Sequence, residues 1–397
     1  MSERLIVEQS EFEELCEHAR AAGIVAFDTE FVSEDTYRPE LCLMQFATRE
    51  RSVAVDPFAI QNLDAWWNVM ADAHTTVVVH GGQAEIQFCL SHAGRRPQKL
   101  VDVQMAEGLR TTSYPLGYSA LVNRVLGVKV HNKETRTDWR RRPLTTQQID
   151  YAIADVNHLL PIWDAQRKAL ERLGRLDWAQ AEFQRMIEDL DSEETREGWR
   201  RLSGIHRLNR RELAIAVELW HWRNEEAQRR NRPVRRTLRD DLIVDLAHRQ
   251  PKDARELLSV RDMNRSGYKR VAQDLVDRID RALALPDDQL PHRSAMPKQD
   301  KNPDEQVLGQ LLAIALSNRC EQINVARQLV GTSSDLRALV RRHVFHESDA
   351  PEPRLMTGWR AEVCGNLLTD LLDGKISLRV ADPQSDSPLA FDATPEK

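Results

Sequence analysis

Four short apolar runs rich in β-branched residues, IVAFD at 24–28, LCLMQFAT at 41–48, SVAVD at 52–56 and TTVVVH at 75–80, lie within the first 80 residues, and the strand signal disappears from residue 103 onward. Runs of this kind predict β-strands, and helical spacing at about 11–22, 61–72 and 82–92 interleaves helices with them. Ser10 and Glu13 have capping-box spacing, and Gly23 stands where the first helix would stop. Further helices are predicted at about 117–127 and 146–173, the second opened by Thr145 and Gln148 just after Pro143. The alternation makes an α/β domain over residues 1–175.

Beyond it the chain reads as helical. A connector covers 176–204. Leu213, Val217, Trp220 and Ala227 form an apolar stripe, Pro233 breaks it, and helices at about 238–248 and 267–285 complete a compact unit over 205–285. Pro286, Pro291, Pro297 and Pro303 among polar residues mark 286–304 as a linker. Leu308, Leu311, Leu312 and Ala315, then Leu336, Leu339 and Val340, give another helical unit over 305–380, and 381–397 reads as a disordered tail.

Composition excludes several classes. Hydrophobic residues are 41% and charged residues 30% of the 397, with no apolar run long enough for a membrane span. The start, MSERLIVEQSEFEEL, lacks the basic, apolar and small-residue order of a secretory signal, so a cytoplasmic location is expected. Cys16, Cys42, Cys89, Cys320 and Cys364 are odd in number and include no CxxC pair, which argues against a disulfide framework or a structural zinc site. The net charge of −6 excludes a uniformly basic coat, yet residues 196–239 hold 13 Arg against 5 acids. Such a run suits a solvated helical face as well as a nucleic-acid contact.

The strongest chemical feature is FDTEF at 27–31. Asp28 and Glu30, two apart on a strand, project from one face, and two carboxylates there repel unless a cation joins them. Oxygen donors of this kind suit Mg²⁺ or Mn²⁺ rather than zinc. Alone, the pair would equally suit a strand end emerging into water. On the helix over 146–173, Ile149, Ile153, Val156, Leu160 and Trp163 make the buried stripe, while Tyr151 and Asp155 share another face. His158 and His80 read as packing residues.

Taken in order, DTEF, HGGQAEI at 80–86 and YAIAD at 151–155 resemble the DEDD superfamily of 3′-5′ exonucleases, in the branch with Tyr at the third motif. TYRPELCLMQFA at 36–47, KETRTDWRRRPLTTQQIDYAIADVNHLLP at 133–161 and LWHWRNEEAQRRNRP at 219–233 narrow the resemblance to the ribonuclease D family over about residues 1–285. It implies a ribonuclease H-like α/β domain with a mixed central sheet, followed by two small all-α HRDC-type domains. The family supplies Asp at the second motif where this chain has Glu85; Ala84 has no donor, and Asp102 lies too far along to be the same helical position. The extra methylene moves the carboxylate by roughly 1.5 Å.

The resemblance further implies two divalent cations, Mg²⁺ or Mn²⁺, held by Asp28, Glu30, Glu85 and Asp155, with Tyr151 orienting the attacking water. Arg136, Arg140 and Arg142 would contact phosphates, and Trp139 would stack on a base or pack in the core. The partner it implies is RNA with a free 3′ end, transfer-RNA precursors foremost, acted on by a monomer away from membranes. A DNA 3′-5′ exonuclease, or an RNA-binding scaffold disabled by Glu85, would fit the same motifs.

Overall fold

The computed structural model describes residues 4–130, 137–195, 198–292, 303–347 and 352–394. A six-stranded mixed sheet is built from β1 (Leu5–Ile6), β2 (Ile24–Val32), β3 (Glu40–Ala47), β4 (Ser52–Val55), β5 (Thr76–Val79) and β6 (Leu100–Asp102), in the order β1-β4-β3-β2-β5-β6. The four predicted runs are β2 to β5; β1 and β6, too short to carry an alternation, were not anticipated. β2 lies antiparallel to β3 and parallel to β5, but its pairing with β5 ends at Ala26↔Val78, which leaves its carboxylate-bearing end free on that side.

The sheet's alternation sorts its residues. Phe27 faces Phe46 across the β2–β3 ladder, and both rings pack on Trp66, with centroids 4.6 to 5.1 Å apart. Aromatic contacts of this kind add about 0.5–1.5 kcal/mol each beyond area burial. Two helices, α1 (Gln9–Ala22) and α2 (Asp64–Met70), contact one another at the domain's edge, and Phe12 and Trp66 are both fully buried. Gly23 ends α1 in the left-handed conformation as expected; the helix starts at Gln9 with Glu8 as its cap, however, so Ser10 is already helical and the Ser10–Glu13 box does not form.

α3 (Gln83–Ala93), α4 (Val103–Arg110) and α5 (Tyr118–Leu126) follow, then α6 (Thr146–Asn157), α7 (Leu159–Arg172) and α8 (Leu176–Thr195). Thr145 and Gln148 form the predicted reciprocal cap of α6. α6 packs on β2, β3 and β4, and Ile149, Ile153, Val156, Leu160 and Trp163 are all buried. The single helix expected over 146–173 is divided at His158.

The next unit holds α9 (Arg210–Arg229), the short α10 (Val234–Thr237), α11 (Asp240–Arg249), α12 (Ala254–Ser259), α13 (Ser266–Lys269) and α14 (Ala272–Leu283), and its core stands apart: Leu213 and Leu219 of α9, Leu246 of α11, Leu257 of α12 and Ile279 of α14 belong to a hydrophobic cluster of their own. It meets the first domain at the β2–β3 loop, where Asn231 Oδ1 accepts from the Tyr37 amide (3.1 Å) and Arg236 pairs with Asp35 (2.7 Å). The last unit, α15 (Pro303–Ile323), α16 (Arg327–Val330), α17 (Ser333–His343), α18 (Gly358–Arg360) and α19 (Asn366–Leu372), shares one continuous core with the sheet domain. Ala326 donates to Gly108 O (2.7 Å), Trp178 stacks on Trp359 (4.9 Å), and buried Glu182 pairs with Arg185 and Arg360. The tail expected to be disordered is folded as far as residue 394: β7 (Ile376–Val380) and β8 (Leu389–Ala393) pair as an antiparallel hairpin, and Leu378 and Phe391 pack on the core. The last helical unit therefore carries strands.

Candidate active site

β2 places Asp28 and Glu30 on the face covered by α6, opposite Gln45 and Leu43 of β3. The second motif is positioned by an HGG turn. Gly81 has a φ of +68°, and a Cβ on Gly82 would lie 2.3 Å from Val79 Cγ2, so both positions require glycine. Asp102 secures this turn: its carboxylate accepts from the amides of Gly81 and Gly82 (3.1 Å each) and caps α4 through Gln104 and Met105. Asp102 is therefore a structural cap, which leaves Glu85, in the first turn of α3, as the candidate acid of the second motif. Glu85 is 4% exposed and accepts from the Thr29 hydroxyl at 2.6 Å.

Electrostatics join the three elements. Burial, then the charges of Glu85, Asp155 and Glu30, hold Asp28 well above the usual carboxylate range. Burial, then Asp155 and Glu85, push Glu30 up to about 8. Burial raises Glu85 to about 7 against the lowering effect of the Thr29 hydrogen bond. Burial and the adjacent Asp155, to which its hydroxyl is hydrogen-bonded, raise Tyr151 far above its ordinary value. A phenol so disfavoured from ionising can donate a hydrogen bond but cannot serve as a base at neutral pH.

The three charges that act most on Asp28, those of Glu85, Asp155 and Glu30, are all negative. Gln45, fully buried beside it, leaves both amide atoms without a hydrogen-bond partner. Hard oxygen donors, mutual repulsion and an orphaned amide fit divalent cations with coordinated water. Among the described residues no three acids converge into a preformed cage.

The expected nucleic-acid contacts divide. Arg140 is partly exposed and pairs with Asp138 (3.1 Å); Arg136 lies outside the described residues. Trp139 is 5% exposed and stacks on Tyr151 (6.2 Å), so it presents no face to a base. Arg142 forms a two-pronged pair with Asp56 (2.6 and 2.7 Å) and donates to Cys42 O (2.7 Å), tying the approach to α6 onto β3 and β4. Both side chains are committed to partners within the fold. The reading missed Thr29, Asp56 and Gln45, whose roles depend on partners far away in sequence.

The 3′-5′ exonuclease model matches residues 4–171 and the HRDC domain model residues 212–279. Ribonuclease D of Zymomonas mobilis is 31% identical over 95% of each chain, and that of Acidiphilium cryptum 34% identical over 92% of this chain and 91% of its own. The chain belongs to the ribonuclease D family. Escherichia coli RNase D, described as an exoribonuclease involved in structured RNA processing, superposes with a TM-score of 0.80 at 27% identity, covering 94% of this chain and 99% of that one. The ribonuclease D relationship thus takes in the last unit as well as the two domains. No helix among the described residues is long and apolar enough to cross a membrane.

Proposed function

We propose that this chain is a 3′-5′ exoribonuclease that removes terminal nucleotides by metal-dependent phosphodiester hydrolysis, with transfer-RNA precursors among its substrates. The observation that carries the reading is that Glu85 of α3 and Asp155 of α6 lie near enough to the β2 pair for their charges to raise both Asp28 and Glu30. Divalent cations held by these four acids would supply an activated water and offset charge on the phosphate. Tyr151 orients that water through its hydroxyl, which Asp155 and the stacked Trp139 hold in place. A cavity of about 500 Å³, lined by Phe31, Arg38, Ala84, Gln87 and Arg201, includes the sequence neighbours of Glu30 and Glu85 and has the volume of a nucleotide site.

In the HRDC region much of the local positive charge is committed to acids of the same unit, as in Arg223 with Asp240 and Arg239 with Asp241 and Asp262. The cavity lined by Trp222, Arg232, Arg265 and Tyr268 is the part suited to RNA. Digestion of matched 5′-labelled RNA and DNA oligonucleotides in Mg²⁺ and then Mn²⁺ tests the assignment. RNA should shorten stepwise from its 3′ end, and Asp28→Ala or Asp155→Ala should slow this at least about 10²-fold, more than the loss of an outer-shell partner. Full activity in a folded Asp28→Ala protein would remove the hydrolase reading.

A further inference from the structure

Two features interrupt the chain between α6 and α7: Pro161 has no amide to give the Asn157 carbonyl, and a tyrosine occupies the Ala154 carbonyl. The Tyr118 hydroxyl donates to Ala154 O at 2.6 Å, taking the acceptor that a continuous helix would offer to the amide of His158. That amide turns instead to Val156 O and toward the Tyr118 oxygen. His158 sits between the two helices at φ −105°, ψ −3°. A side chain inserted into the i→i−4 ladder is an established cause of a sharp helix bend. The residue after Ala154 is Asp155.

Tyr118 is itself held. It opens α5, its ring meets His80 edge-on at 5.9 Å, and the Leu116 carbonyl just before it accepts from His80 Nε2 (2.8 Å) and Gln104 Nε2 (3.1 Å). Gln104 belongs to the turn capped by Asp102, which also secures the Gly81–Gly82 turn leading to Glu85. Both Asp155 and Asp28 lie near enough for their charges to act on the phenol.

We propose that Tyr118 is a positioning residue for Asp155: its hydroxyl wedges open the α6–α7 junction and sets the last turn of α6, from which Asp155 faces Asp28. Without the wedge, the His158 amide can close onto Ala154 O and rewind the last turn of α6, turning Asp155 away, while Pro161 still keeps α7 from continuing straight. The inference rests on the reading of Asp155 as a cation ligand.

The test uses full-length Tyr118→Phe, with Asp155→Asn measured beside it. For Tyr118→Phe we expect kcat about tenfold lower with KM for RNA unchanged, a similar weakening of Mn²⁺ binding measured calorimetrically without RNA, and a melting temperature near that of the unaltered chain. Unaltered kcat and Mn²⁺ affinity would mean that the hydroxyl is dispensable and overturn the proposal. So would a change in KM alone, or an activity loss accounted for by lost folded protein. An active Asp155→Asn would instead remove the reading of the site itself, which keeps the two failures apart.

Discussion

The Thr29 hydroxyl donates to Glu85 Oε1 across 2.6 Å, so the strand that presents Asp28 and Glu30 also holds the acid of the second motif. Aspartate at position 85 would stop about 1.5 Å short of that hydroxyl. The glutamate is thus matched to this chain's own strand. We expect Glu85→Asp to lower turnover about tenfold in Mg²⁺ and Mn²⁺ alike, Thr29→Val to resemble it, and Glu85→Gln to be slower still. Turnover of the three variants in both metals checks this, and a faster Glu85→Asp enzyme in Mg²⁺ would show that the longer side chain is misplaced.

The raised acids make the metal-free fold pH-sensitive. Glu30 is pushed to about 8 and Glu85 to about 7, against an ordinary value of 4.5. Between those limits the folded chain keeps protons that the unfolded chain has released, so stability present at acid pH is lost as pH rises from about 4.5 to about 8. Cations favour the ionised acids and should reverse the trend. Calorimetric melting in chelator should show Tm falling across this window, Mg²⁺ should raise Tm more at its alkaline end, and Glu30→Gln should flatten the profile.

Arg142 should prove a stability residue. Asp56 is 6% exposed, and the guanidinium that pairs with it is partly exposed. Removing one member of a fully buried pair costs about 3–5 kcal/mol, and partial exposure brings the expectation to roughly half of that. Arg142→Ala should therefore lower Tm while leaving the salt dependence of RNA binding unchanged. A shallower salt slope at full stability would return Arg142 to the phosphate contacts.

What the sequence made legible was local. The β2 to β5 strands, the Thr145 cap and the Asp28–Glu30 pair depend on residues within a few positions of one another, and the structure places them as read. The directions of Trp139 and Arg142 are set by Tyr151 and Asp56, twelve and 86 positions away, and no local pattern announces such partners. The break at His158 is announced locally by Pro161, which the unbroken apolar period overrode in the reading, while its other half, the Tyr118 wedge, comes from 36 positions away. The tail looked disordered because its polar composition concealed LAFDA, whose strand finds a partner once α19 has brought β7 to the core.

Gln45 separates stability from activity. Its amide is fully buried with neither atom hydrogen-bonded, and it stands across the ladder from Asp28, where directly opposed side chains share a face. A buried polar group left unpaired costs about 1–3 kcal/mol, a burden the metal-free fold carries for the sake of the site. Methionine has a similar volume and no such requirement. Gln45→Met should raise the metal-free Tm by several degrees, since about 1 kcal/mol moves Tm by roughly 2–4 °C in a domain of this size. It should also lower kcat about tenfold, because the amide would no longer hold water or carboxylate beside the cations. A variant that is more stable and equally active would make Gln45 a packing residue; one that is less stable would mean that the amide has a partner in solution.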